Sequence, residues 1–275
     1  MSSLSTPESR AVDPGGPDPL LVLLDPAARQ ADGESVRIAK DVLCGGADVK
    51  VALPESPSEL DRVLAHRGRR RPVVIGSDLA LQRVLQALHR HRELGADPVG
   101  VVPVGRPATV ATARALGVPG EPVAAARAVI HGTSRKLDLL VDDGGGVVLG
   151  GVRIRGHRVG RTGGWRSLWA KLAAADQGRA YVSEEPQQLR IEADGQLLVD
   201  VHHPVRLLQI TVHSGQGVME LVLRTDGAPL RVRAGSLTVA GRGFGYEADG
   251  CPVGPVRART WTVHAGAWEL MLPAG

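Results

Sequence analysis

The 275-residue sequence predicts an α/β N-terminal domain with a parallel sheet, followed by a β-sandwich-like C-terminal domain. Three observations predict it. From Leu20 to about residue 145, short Val-rich runs alternate with amphipathic helical patterns, as a parallel sheet covered on both faces requires. From about residue 147, short strands are punctuated by Gly and Asp-Gly, which calls for antiparallel pairing. With 43% apolar residues but one Phe, two Tyr and four Trp, the core must be built from Val, Leu and Ala. The expected organisation is a disordered leader over 1–19, an α/β nucleotide-binding-like domain over 20–145, and a β-rich sandwich domain over 146–275. The 137–143 strand region is a candidate to complete the sandwich.

The elements follow in order. LLVLL from Leu20 is a short apolar strand ended by Asp25 and Pro26. Val36, Ala39, Val42 and Leu43 share one face at helical spacing, and a Gly-Gly turn then leads to a second strand, DVKVALP. In SPSELDRVLAHR, Ser56 or Ser58 is the cap of a helix with acidic residues in its first turn. PVVIG at 72–76 is the next strand, LALQRVLQALHRHREL the next helix, and PVGVVPVG at 98–105 the strand after that. ATVATARALG and EPVAAARAVIHG read as helices, and LDLLVDD at 137–143 as a strand. Beyond 147 the strand-like stretches run through VVLGGVRIRG, QLRIEADGQLLVDV, VRLLQITVHSG, VMELVLRTDG and PLRVRAGSLTVAG to WELMLP. One helical pattern interrupts them, WRSLWAKLAAA at 165–175. The pairs Asp194-Gly195, Asp226-Gly227 and Asp249-Gly250 read as tight turns.

Charge and cysteine content narrow the function classes. The net charge of +4 comes from an Arg-rich composition with interspersed acids, and no basic block tracks a nucleic-acid backbone. That argues against a nucleic-acid partner. Cys44 and Cys251 stand far apart, outside any C-x-x-C or His/Cys cluster, which argues against a disulfide framework or a structural zinc site. His202, His203 and His213 lack an acidic partner at metal-like spacing, so no metal site is assigned. No run has the length of a signal-peptide core or a membrane span, and a cytoplasmic protein without a transmembrane segment is expected. Trp165 and Trp169 beside Arg161, Arg166 and Lys171 leave peripheral membrane contact open, with core packing the favoured role for the two Trp.

The order of pieces resembles the diacylglycerol kinase catalytic family, lipid kinases that include the sphingosine kinases. The resemblance rests on the Asp25-Pro26 turn, VVIGSDLALQRVLQAL at 73–88, GVVPVGRPATVATARALGVP at 100–119 and HGTSRKLDLLV at 131–141. GRAYVSEEPQQLRIEADGQ, FGYEADGCPVG and WTVHAGAWELMLP continue it, over roughly residues 20–273. It implies the two-domain fold of that family and an ATP- and Mg-dependent lipid kinase ancestry. The family's Gly-Gly-Asp-Gly-Thr loop corresponds to Gly76, Ser77, Asp78, Leu79 and Ala80. Its Pro-x-Gly-Thr-x-Asn-Asp loop corresponds to Pro103, Val104, Gly105, Arg106, Pro107, Ala108 and Thr109. Gln216 stands where the family has the acid of an Asp-Gly strand start.

The resemblance therefore names Gly76, Ser77, Asp78, Gly105 and Arg106 as candidate cofactor-binding residues, and Asp78 as the candidate catalytic residue if the chain is active. The departures weigh against activity. Leu79 restricts the backbone where Gly would let phosphate approach, Pro107 donates no N–H, and the amide of Gln216 is no general base near neutral pH. The favoured expectation is a catalytically degenerate, motif-poor member that acts as a ligand-binding, regulatory or interaction protein, with a small molecule or lipid in the interdomain cleft. The alternatives are an active kinase of diacylglycerol or a related lipid, which would need ATP and Mg, and a structural homo-oligomer pairing through its sandwich edges.

Overall fold

The structure is a computed structural model that describes residues 18–158, 184–212 and 215–274. Most of the expected leader, the helical pattern at 165–175 with Trp165 and Trp169, Tyr181 and His213 lie outside the described residues.

The first half alternates as its apolar rhythm predicts. Strand β1 (Leu20–Leu24) is followed by α1 (Pro26–Ala31), α2 (Gly33–Gly46), β2 (Val49–Ala52), α3 (Pro57–Ala65), β3 (Arg71–Gly76), α4 (Asp78–Arg90) and β4 (Gly100–Pro103). The order β2-β1-β3-β4 is parallel throughout. Continuous apolar runs suit strands packed on both faces: β3 and β4 are buried along their whole length. The helices carry the capping chemistry their sequences advertise. Asp25 caps α1 with Pro26 behind it, Asp32 caps α2, and Ser56, rather than Ser58, caps α3 by accepting the Glu59 N–H at 3.2 Å.

The segment ATVATARALG, read as one helix, is instead a 3-10 turn over Pro107–Thr109 and a five-residue α5 (Ala111–Ala115). The break falls at Val110, whose φ of −127° and ψ of 14° leave the helical range between the 3-10 turn and α5. α6 (Pro122–His131) follows and packs against α2 and β4.

The second half is antiparallel sheet. Its strands are β5 (Thr133–Asp142), β6 (Val147–Val148), β7 (Gly151–Arg155), β8 (His157–Arg158), β9 (Glu184–Glu185), β10 (Leu189–Ala193), β11 (Gln196–Val199), β12 (Leu207–Val212), β13 (Met219–Arg224), β14 (Leu230–Ala234), β15 (Ser236–Ala248) and β16 (Cys251–Leu272). Among the described residues, the main path runs β14-β13-β12-β7-β15-β16-β5-β6, and β10 joins it by pairing with β15 and β11. β15 pairs with β10 over residues 237–241 and with β7 at 247–248, with register shifts at Ala240/Phe244 and Phe244/Tyr246. These irregularities bend the strand and carry it from one set of partners to the other. Alternate residues from the strands meet in one core that includes Ile154, Ile191, Leu208, Leu221, Val239, Phe244 and Trp261. The Asp194-Gly195 and Asp249-Gly250 turns have positive φ at both residues, the conformation that suits a tight hairpin.

Contacts divide the chain into two units that trade chain several times. One holds residues up to 84, 97–135 and 270–275; the other holds 85–96 and 136–269. The sequence reading placed a single division near residue 145. In the first unit, the end of β16 returns to the parallel sheet: Leu270 bridges Val99, and the Met271 N–H donates to the Val99 carbonyl at 3.0 Å.

Candidate functional site

Three neighbouring parallel strands end together. The register pairs Leu24 with Ile75 and Gly76 with Pro103, so the loops after β1, β3 and β4 meet at the carboxyl edge of the sheet. This edge is where open α/β sheets bind ligands. Of the five sequence-named residues, Gly76 ends β3, Ser77 follows it, Asp78 opens α4, and Gly105 and Arg106 lie in the loop after β4.

The centre of the cluster is Asp25, which is only 7% exposed. One carboxylate oxygen accepts the Ala27 N–H at 3.0 Å, capping α1. The other accepts the Ser77 N–H at 3.2 Å and the Ser77 hydroxyl at 2.7 Å. Ser77 in turn caps α4, accepting the Ala80 N–H on its hydroxyl at 3.4 Å and the Leu81 N–H on its carbonyl at 3.1 Å. A single carboxylate therefore serves the starts of two helices, where the helix dipole favours negative charge. Gly76 makes room for it: a Cβ on Gly76 would lie 2.3 Å from the Asp25 Cβ.

Asp78 reaches across to the loop after β4. Its two carboxylate oxygens accept the N–H groups of Thr112 at 2.7 Å and Ala113 at 2.9 Å. The N-cap residue of α5 is Val110, which has no capping side chain, so Asp78 supplies the cap from another helix. Gly105 has φ +149°, and a Cβ there would meet the Thr109 Oγ1 at 2.7 Å. The Arg106 carbonyl accepts the N–H and the hydroxyl of Thr109 at 2.8 and 2.9 Å. The Arg106 side chain is exposed, as is Leu79 in the first turn of α4, at 40%.

The second unit contains a buried carboxylate that sequence reasoning missed. Asp138, 7% exposed on β5, accepts the N–H groups of Gln216 at 3.1 Å and Gly217 at 2.7 Å on one oxygen, and that of Gly266 at 2.8 Å on the other. The Gln216 turn is thus held by a carboxylate 78 residues earlier. Nothing local marks Asp138 beyond an acid inside an apolar strand. In the glycine loop after β5, Asp142 accepts the N–H groups of Gly144 and Gly146, both at 2.8 Å, so those donors are used internally. The Tyr246 hydroxyl faces Asp142 at 3.5 Å, and burial pushes its pKa above the ordinary phenol value. Among the described residues, no group of three or more His, Cys, Asp or Glu is placed to hold a metal ion.

No family model matches the sequence, and no curated protein matches it. Solved structures do match. A diacylglycerol kinase from Bacillus anthracis str. Sterne aligns with a TM-score of 0.70 at 13% identity, over 93% of this chain and 97% of that one. A second structure from the same strain aligns with a TM-score of 0.72, also at 13% identity, over 94% and 98%. At such identity the likeness is one of fold. The likeness covers both domains. More particularly, the α/β domain with its parallel sheet and the antiparallel domain after it have the fold of the bacterial diacylglycerol kinase structures.

Proposed function

We propose that this chain is a divergent relative of the lipid kinases that no longer transfers a phosphoryl group and serves as a ligand-binding or regulatory protein. The observation that carries the reading is the Asp25 carboxylate at the start of α4. Phosphoryl transfer depends on donors and cations that neutralise the charge of the transferring group. Here the N–H and hydroxyl of Ser77 serve a protein carboxylate, and a phosphate brought to the same helix start would meet that carboxylate's charge. Both oxygens of Asp78 are engaged by backbone N–H groups as well, which favours a capping role over a chemical one. The ligand retained by such a protein is a small molecule or a lipid.

The test is an assay of the purified full chain with Mg, ATP and either diacylglycerol or a long-chain base. The expected result is no phosphorylated lipid above a protein-free control. Transfer that disappears in Asp78→Asn, with the variant still folded by circular dichroism, would overturn the reading. ATP binding offers a second check. Asp25→Asn removes the opposing charge, and its ATP affinity by titration calorimetry is expected to exceed the parent's by about tenfold.

A further inference from the structure

A second polar feature lies in the other unit, on the outer face of the antiparallel sheet. Burial alternates along β7, β12 and β13, sending Val152, Ile154, Leu208, Ile210, Leu221 and Leu223 into the core. Arg153, Arg155, Leu207, Gln209, Val222 and Arg224 therefore share the opposite face. The register sets Leu207 opposite both Arg155 and Arg224, and Gln209 opposite Arg153 and Val222. Strand spacing separates the backbones of Arg155 and Arg224 by about 10 Å, and two residues along β7 separate Arg153 from Arg155 by about 7 Å. Long guanidinium side chains at those positions can converge on one ligand that carries more than one anionic group.

The same residues line a surface groove. Arg153, Arg155, Arg206 and Arg224 border it together with Gln209 and Thr225, around a volume of about 720 Å³. Its charge is not balanced from within. Arg206 is neutralised by Asp226, at 2.7 and 2.8 Å. Glu220, on the same face of β13, is taken by Arg231 at 2.8 Å. Glu247 is the register neighbour of Arg153 on β15, yet no ion pair joins them among the described residues. Arg153, Arg155 and Arg224 have no side-chain hydrogen bond or ion pair among the described residues. Three adjacent guanidiniums with no ion-pair partner among the described residues repel one another, and an anion that bridges them relieves that repulsion.

We infer that this groove binds a ligand bearing at least two phosphate-type groups, held by Arg153, Arg155 and Arg224. Bidentate guanidinium donors match phosphate oxygens in geometry as well as charge. The site lies on strands remote in sequence from the Asp25 loops, so its failure would leave the reading of those loops untouched.

The experiment compares the parent chain with the double variant Arg155→Gln/Arg224→Gln, and with Arg69→Gln/Arg127→Gln as a charge-matched control in the other unit. Inorganic pyrophosphate is titrated by calorimetry, and co-sedimentation is measured with phosphatidylcholine vesicles with and without phosphatidic acid. Saturable pyrophosphate binding, weakened at least tenfold in the double variant but not in the control, supports a free phosphate compound as the source. Binding only to the phosphatidic acid vesicles, lost in the double variant alone, supports the same chemistry presented by a lipid headgroup. Both variants are expected to melt within about 1 °C of the parent, because these side chains lie on the surface. No binding of either probe, or binding that the double variant and the control weaken equally, overturns the proposal.

Discussion

Asp25 shows how one side chain can decide the use of a loop. Its carboxylate accepts three hydrogen bonds from residues 2 and 52 positions away. Asp25→Ala leaves the starts of α1 and α4 short of an acceptor and is expected to cost about 2–3 kcal/mol in urea unfolding. Gly76→Ala is expected to be worse. The added Cβ, 2.3 Å from the Asp25 Cβ, has no room unless the β1 and β3 ends move apart, and a loss of about 3 kcal/mol or failure to fold should follow. Asp78→Ala removes the acceptor for Thr112 and Ala113 and is expected to cost about 1–2 kcal/mol by the same measurement. A large loss of stability in Asp78→Ala would identify its role as architectural, as the capping geometry requires.

Among the elements, α5 has only five residues and no cap of its own, so its position depends on α4 through Asp78. β5 has a comparable dependent, because Asp138 holds the Gln216-Gly217 turn and Gly266 on β16. Asp138→Ala leaves three N–H groups without their acceptor, and an unfolding cost of about 3 kcal/mol is expected. Near the end of α4, His89 meets His264 edge to face at 6.1 Å. Burial, and then the charge of His264, hold the His89 pKa below its ordinary value of 6.5. The unfolded chain therefore takes up a proton at a higher pH than the folded chain does. Stability linked to neutral His89 is complete above about 6.5 and is lost as pH falls through the lowered folded value. Thermal unfolding should show a midpoint that falls between pH 7 and pH 5, and His89→Asn should flatten that fall.

For the whole molecule, the elements were largely legible because hydrophobic periodicity and turn chemistry are local. The Val-rich strands, a serine cap at Ser56, one of the two the sequence offered, and the Asp194-Gly195 and Asp249-Gly250 turns fall where the sequence places them. The sandwich strands were legible in kind and less so in extent. WELMLP, read as a strand of its own, is through Leu272 the end of the single 22-residue β16, because strand length is set by the partners alongside. The candidate loops were also legible, and Gly76, Ser77, Asp78, Gly105 and Arg106 do gather at one sheet edge. Their hydrogen-bond partners were not. Asp25 meets Ser77 across 52 residues and Asp78 meets Ala113 across 35, and only the pairing of β1, β3 and β4 brings them within reach.

The sequence by itself determined the class of each half and most of its strands and helices, because those follow from short-range pattern and steric preference. The tertiary structure decided what the polar groups in those loops do. It turned Asp25 and Asp78 toward backbone donors and set Arg153, Arg155 and Arg224 on one face of the antiparallel sheet. The physical reason is that hydrogen bonds and charge interactions act over a few ångströms in space, whatever the distance along the chain.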